Sequence, residues 1–413
     1  MENLLKRASY QVVIVGLLAL SVSIESRAQR VSADPQDSLL LVQFQQELLL
    51  HNWPQIWDFS KPVEEWVGVR LESTSGKVRA LEIVGSKINF RTDSLPSCIK
   101  TLQALDKLEE LAFAALGLKH TPPEIGGFSQ LTSLVLGNNQ LASIPQEINQ
   151  LTTLRFLSVG MNRLVISPDV HNLKKLAYYD LSANKNLHTL HSSTFSLTTL
   201  ERLHIHYCGF TQLPEEIGQL TNLTELKVES NQLLTSLPST IGLLASLESL
   251  GLDQCALTEL PSTMGGLRNL KSLSIGQNQL TDLPASLEYL DNLVQIDFSG
   301  NQFTAFPPML ADMSRLRFIA GKNNRIQGSI PEQILLKRGL RLDVEGNELS
   351  GELLVKSWRV PERLYVRRNR FTFKDMHKVL DFFEPDHPTR PTFFGFQPQK
   401  RIGTARTFKP QAG

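Results

Sequence analysis

The side chains with the most chemical reach in this 413-residue chain gather between positions 156 and 254. One set is Phe156, Tyr178, Arg202 and Glu225, and a second is Ser158, Asp180, His204 and Lys227. Beyond them stand Ser182, His206, Tyr207, Glu229, Asp253 and Gln254. Consecutive members of a set lie 22 to 24 residues apart, as in 156, 178, 202 and 225. A recurring step of that size brings them together if each step closes one structural unit and the units stack. Imidazole and carboxylate are usable metal ligands, so His204, His206, Asp180 and Glu229 invite a metal reading. They come from unrelated sets and imply no tetrahedral arrangement, so no metal is expected. Aromatic and arginine side chains on a rigid face are what protein-binding hot spots use. Phe156, Tyr178 and Tyr207 would alternatively act as stacking platforms for a polysaccharide.

The chain has no P-loop, no GxSxG, no HExxH, no CxxC pair and no GxGxxG after a strand. No catalytic set supports an exported enzyme, so neither an activity nor a cofactor is expected. Hydrophobic residues make up 41% and charged residues 20%, which fits a folded protein. The formal charge of +1 offers no global field for nucleic acid.

The positioning elements follow from the period. LTSLVLGNNQL begins at Leu131, LRFLSVGMNRL at Leu154, LTELKVESNQL at Leu223, LKSLSIGQNQL at Leu270 and LVQIDFSGNQF at Leu293. The Asn slot recurs at Asn139, Asn162, Asn184, Asn231, Asn278, Asn301, Asn324, Asn347 and Asn369, with Cys208 and Cys255 standing in it twice. Leucines alternating with polar residues predict a short strand with one buried face. Stacked units predict a parallel sheet of 11 to 13 strands from about Val78 to Val366, with the polar positions on its concave face. The inward Asn is expected to bond backbone groups left unpaired by the turning chain. Cysteine is small and carries a weak S–H donor, so it is a plausible substitute there. Cys208 and Cys255, two units apart, are predicted to be buried, reduced and too distant to bridge. In the second half of most units, LPxxIxxL places proline where a short convex helical segment begins.

These motifs resemble the leucine-rich repeat family, in the 23-residue LPxxIxxL form. The resemblance implies an α/β solenoid of about 13 units over residues 78–376, and a role in binding partners. The units from Asn324 to Pro331 and from Asn347 to Gly351 carry an inserted glycine, resembling the form found in plant extracellular repeats. Residues 29–77 resemble the N-terminal cap of plant-type members, through Asp37-Ser38-Leu39-Leu40, Trp57 and Trp66-Val67-Gly68-Val69. That family flanks the Trp-x-Gly-Val segment with a cysteine pair, which is missing here. Trp53, Trp57 and Trp66 are read as core filling.

The ends complete the expectation. Lys6 and Arg7 precede an apolar run from Val12 to Leu20, and Ser26-Arg27-Ala28 resembles a cleavage site. Residues 1–28 are therefore read as a signal peptide, and no later stretch is long enough to span a bilayer. A secreted, periplasmic or cell-surface location is implied. Residues 356–413 hold 13 basic against 5 acidic residues, and 377–413 are read as a basic tail. Its segment from Gly395 to Gln399 resembles the exit region of bacterial surface repeat proteins. The expected partner is a protein, with an envelope or host glycan as the alternative.

Overall fold

The computed structural model describes residues 31–353, 361–372, 374–375 and, for the backbone, 393–395. The segment read as a signal peptide and most of the basic tail lie outside the described residues.

The first element is helix α1, Pro35–Leu50. Its N-cap Asp34 accepts from the amides of Gln36 at 2.9 Å and Asp37 at 3.1 Å, satisfying donors that a first turn leaves open. Leu41, Phe44 and Leu48 are buried beneath it. The buried Asp37 carboxylate accepts the amide of Val78 at 2.7 Å, tying α1 to the first strand of the array. Trp57 and Trp66 stack at 5.1 Å, and their indole N–H groups donate to the carbonyls of Val67 and Lys61. Buried aromatics with satisfied N–H groups thus close the cap with no cysteine pair.

The strands are β1 Val69–Leu71, β2 Val78–Val84, β3 Glu110–Ala114, β4 Ser133–Val135, β5 Phe156–Ser158 and β6 Tyr178–Asp180. They continue as β7 Arg202–His204, β8 Glu225–Lys227, β9 Ser249–Gly251, β10 Ser272–Ser274, β11 Gln295–Asp297 and β12 Phe318–Ala320. The last are β13 Gln327–Gly328, β14 Arg341–Asp343, β15 Glu348–Leu349, β16 Arg363–Tyr365 and β17 Phe393–Gly395. Fifteen of them form one sheet; β13 and β15 pair separately, where the inserted-glycine units occur. From β2 to β17 the main sheet is parallel, and every strand pairs with the next unit in register. Two features depart from expectation. β1 is antiparallel to β2, as a cap hairpin that shields the open end of the solenoid. β17, inside the segment read as a tail, adds a strand beyond β16.

Most convex segments are single 3₁₀ turns, for example Glu215–Gln219 after Pro214 and Ser239–Leu243 after Pro238, while Glu332–Leu335 after Pro331 is a single α-helical turn. A unit of this length has room for one turn, and that turn inserts one apolar anchor, Ile217 or Ile241, into the core.

After most strands of the array the chain turns through a left-handed residue. Asn138, Met161, Ala183, Tyr207, Ser230, Gln254, Gln277, Asn323 and Arg368 have φ between 53° and 62°. Such a backbone costs about 1–2 kcal/mol outside glycine, so the next residue must hold it. Asn278 does so fourfold. Its Nδ2 donates to the carbonyls of Leu252, Ile275 and Gly276, and its Oδ1 accepts from the Leu257 amide at 3.0 Å. Cys255 reaches only carbonyls, at 3.6 Å and 3.8 Å. The unit before each slot cysteine explains why this suffices. The steps from Asn184 to Cys208 and from Asn231 to Cys255 are 24 residues, one more than the usual 23. The extra residue lets the Leu187 and Leu234 amides fold back onto the carbonyls of Asn184 and Asn231, at 2.9 Å and 3.0 Å. With that amide satisfied, no side-chain acceptor is needed.

All three cysteines are free. Cys98 and Cys255 are buried, but Cys208 is only half-buried, contrary to expectation.

Candidate functional site

The two sets of side chains named from the sequence are rows across adjacent strands. Phe156, Tyr178, Arg202 and Glu225 are register partners, as are Ser158, Asp180, His204 and Lys227. A parallel sheet places such partners about 4.8 Å apart, which sets up the contacts that follow.

Phe156 and Tyr178 stack nearly parallel, with ring centroids 4.3 Å apart and 4° between planes. Tyr178 meets His204 edge-on at 4.9 Å. A hydrogen-bonded chain then crosses three strands. The Tyr178 hydroxyl lies 2.9 Å from His204 Nδ1, and His204 Nε2 lies 3.2 Å from Glu225 Oε1. With Nε2 protonated toward Glu225, Nδ1 accepts the tyrosine proton. Glu225 also takes Lys227 Nζ at 2.8 Å, with Arg202 Nε 3.9 Å away. The His204 hydrogen bond, then Lys227, holds the Glu225 carboxyl down at about 2. Burial pushes the Tyr178 hydroxyl above its ordinary range, with the Asp180 charge adding to it. A hydroxyl so disposed is no activated nucleophile, and the chain of bonds fixes rings instead.

Asp180 and His204 were expected as contact residues, but only 3% and 8% of their surface is exposed. Their side chains face the concave side and are covered by their neighbours. Asp180 Oδ2 accepts from Ser158 Oγ at 2.8 Å, and its Oδ1 accepts from Ser182 Oγ at 2.6 Å. Gly160 leaves the room: a Cβ there would stand 2.9 Å from Asp180 Oδ2. These two residues position the patch rather than present it. Arg202 and Tyr207 are exposed, while Phe156, Tyr178, Glu225, Lys227, His206, Glu229 and Asp253 are partly covered.

The row after the strands behaves differently. Burial lowers the basicity of His206 and leaves its Nδ1 without a hydrogen-bond partner. Glu229 Oε2 is likewise unpartnered and shielded from water, and burial raises its carboxyl above the ordinary range. The Glu229 side chain lies over Gly251, in space a β-carbon would fill. Asp253 accepts from the Ser274 hydroxyl and, at 2.6 Å, from the Gly276 amide, and burial raises it too. Gly160 and Gly251 make room for the Asp180 and Glu229 carboxylates, and the sequence reading passed over both. Their only signal was a missing side chain in a polar column.

A leucine rich repeat family model matches residues 245–303. The chain is a leucine-rich repeat solenoid. Among solved structures, this leucine-rich repeat chain is similar to a leucine-rich repeat protein of Leptospira interrogans, at 28% identity and TM-score 0.57, over 70% of this chain and 79% of that one. It is also similar to the ectodomain of the Arabidopsis thaliana receptor kinase GASSHO1/SCHENGEN3, solved in complex with Casparian strip integrity factor 2. That match has 26% identity and TM-score 0.65, over 88% of this chain and 44% of the other. Among curated relatives, Receptor-like protein 39 of Arabidopsis thaliana is 32% identical over 157 residues, which is 36% of this chain and 17% of the relative. The repeat protein thus spans less than a fifth of that relative's length.

Proposed function

We propose that this repeat protein is an exported, non-enzymatic recognition module that binds a protein partner on its concave face. The observation that carries this reading is the row Phe156, Tyr178, Arg202 and Glu225 on four adjacent strands, in which Phe156 stacks on Tyr178, His204 links Tyr178 to Glu225, and Arg202 lies 3.9 Å from Glu225. Side chains already ordered before binding lose little entropy on association, and aromatic and arginine groups dominate binding energy. A receptor ectodomain of similar fold, solved with Casparian strip integrity factor 2, supports the same reading. The polysaccharide alternative is less favoured, since Phe156 and Tyr178 turn one ring face each toward the other. In this reading residues 1–28 are removed, 29–77 cap the array at 78–376, and the mature protein is secreted, periplasmic or on the cell surface.

A photo-crosslinking residue placed at Arg202, and separately at convex Thr263, tests the face. Crosslinking in envelope fractions is expected to trap a protein at Arg202 and none at Thr263. Adducts at Thr263 alone would refute the concave assignment, and glycan-array binding without any protein adduct would favour the polysaccharide. N-terminal sequencing of exported protein should begin near Gln29; a chain retaining Met1 would refute cleavage.

A further inference from the structure

Granted recognition on the concave face, we propose that its centre, on β8 to β10, receives a lysine or arginine side chain of the protein partner between Glu229 and Asp253, beside Tyr207. The charge balance of the patch carries this. Four carboxylates, Asp180, Glu225, Glu229 and Asp253, stand against two full cations, Arg202 and Lys227. Both cations lie against Glu225, at 3.9 Å and 2.8 Å, and Asp180 is held by two serine hydroxyls. Among the described residues no cation comes within ion-pairing distance of Glu229 or Asp253. One oxygen of Glu229 is both shielded from water and without a donor. Its charge is therefore costly until a donor arrives, because burial removes water without replacing its hydrogen bonds.

The shape fits a long cationic side chain. Ser249 and Ser272 give the sheet a floor of small residues beside the two acids, next to Gly251, over which Glu229 itself lies. The methylene stem of lysine or arginine can lie along such a floor while its head reaches the carboxylates. Tyr207 is 40% exposed, which leaves its ring available to a cation. A bare metal ion fits less well: among the described residues no three histidine, cysteine or acidic groups converge to hold one.

The test uses the full chain and a random phage-displayed dodecapeptide library, counter-selected on the Glu229→Gln/Asp253→Asn double variant. Surviving peptides are expected to share one arginine or lysine. They should bind the Glu229→Gln variant at least about tenfold more weakly, as for loss of one charge-assisted hydrogen bond. Replacing that arginine by citrulline should cost the same factor on the parent chain and nothing further on the variant. Glu229→Gln keeps the side-chain volume, and Oε2 has no bond to lose, so the fold is retained. No surviving peptides, survivors without a basic residue, or a basic residue uncoupled to both acids would overturn the proposal. If counter-selection leaves none, peptides from the pool before it that are sensitive to Arg202→Ala or Phe156→Ala would overturn the proposal while leaving concave recognition standing. A pool indifferent to all four positions would overturn both.

Discussion

Asn278 and Cys255 occupy equivalent slots in neighbouring units, so replacing each by alanine measures what the slot requires. Asn278→Ala strips the Leu257 amide of its only acceptor and the Leu252 carbonyl of its only donor among the described residues. The Ile275 carbonyl keeps Asn301 Nδ2 at 2.9 Å, and the Gly276 carbonyl keeps the Gln254 amide at 2.9 Å. Two buried polar groups left unpaired cost about 1–3 kcal/mol each, so the variant should lose about 2–6 kcal/mol. Cys255→Ala leaves nothing unpaired. The Val228 carbonyl keeps the Asn231 side chain, the Asp253 carbonyl keeps the Ser230 amide at 2.7 Å, and the Leu234 amide already bonds Asn231. Only a small volume of packing disappears, worth about 1 kcal/mol. Urea unfolding of both variants, read with native-state hydrogen exchange at Leu257 and Leu234, separates the two costs. Exchange matters because a solenoid can open locally. Equal losses for the two variants, or a larger one at Cys255, would refute the account of the 24-residue units.

Leu203 is wholly buried in β7, so Leu203→Ala should cost about 2–5 kcal/mol in calorimetry, against about 0.5 kcal/mol or less for exposed Arg202→Ala. Tyr178→Ala should fall between them, since it loses ring stacking worth about 0.5–1.5 kcal/mol besides its bond to His204. Burial depresses the folded-state basicity of His206 below 6.5, so the folded chain binds fewer protons there than the unfolded one. Stability should therefore decline as pH falls below about 6.5, and His206→Gln should remove that decline in urea midpoints. Glu225 acts lower, its contribution being complete above 4.5 and lost as pH falls toward about 2. Burial raises Cys98 and Cys255 to about 11 and Cys208 to about 12, so thiol reagents at neutral pH should label all three only after unfolding. A 208–255 bridge in non-reducing peptide mapping would contradict the repeat phasing.

Strand positions and their register were legible because each unit repeats one pattern and the sheet can align only one way with its leucines inside. β1 was not, since Val69-Arg70-Leu71 carries no period and owes its place to pairing with β2. The convex 3₁₀ turns were readable as short and proline-led but not by type, because one turn has too few residues for periodicity. At the site, alternation predicted which side chains face the concave side. It could not predict that Asp180 and His204 would be covered there, because cover comes from neighbouring units: Ser158 on one side of Asp180, Tyr178 and Glu225 about His204.

The same contacts divide the patch by function. Along the strands Glu225 is met by Lys227 and His204, and Asp180 by two serine hydroxyls, so Phe156, Tyr178, His204 and Glu225 form a rigid surface whose polar needs are met from within. One row further on, each chain has entered its left-handed turn at Tyr207, Ser230 or Gln254. There His206 and Glu229 keep a shielded polar atom with no partner. A protein surface already satisfied offers shape, whereas unsatisfied buried groups discriminate between partners that can and cannot complete them. Substitutions in the first row should therefore weaken binding of any partner, and Glu229→Gln should weaken only those that bring a cation. A partner set reduced uniformly by Glu229→Gln, whatever the partners' charge, would show that the two rows do not divide the work this way.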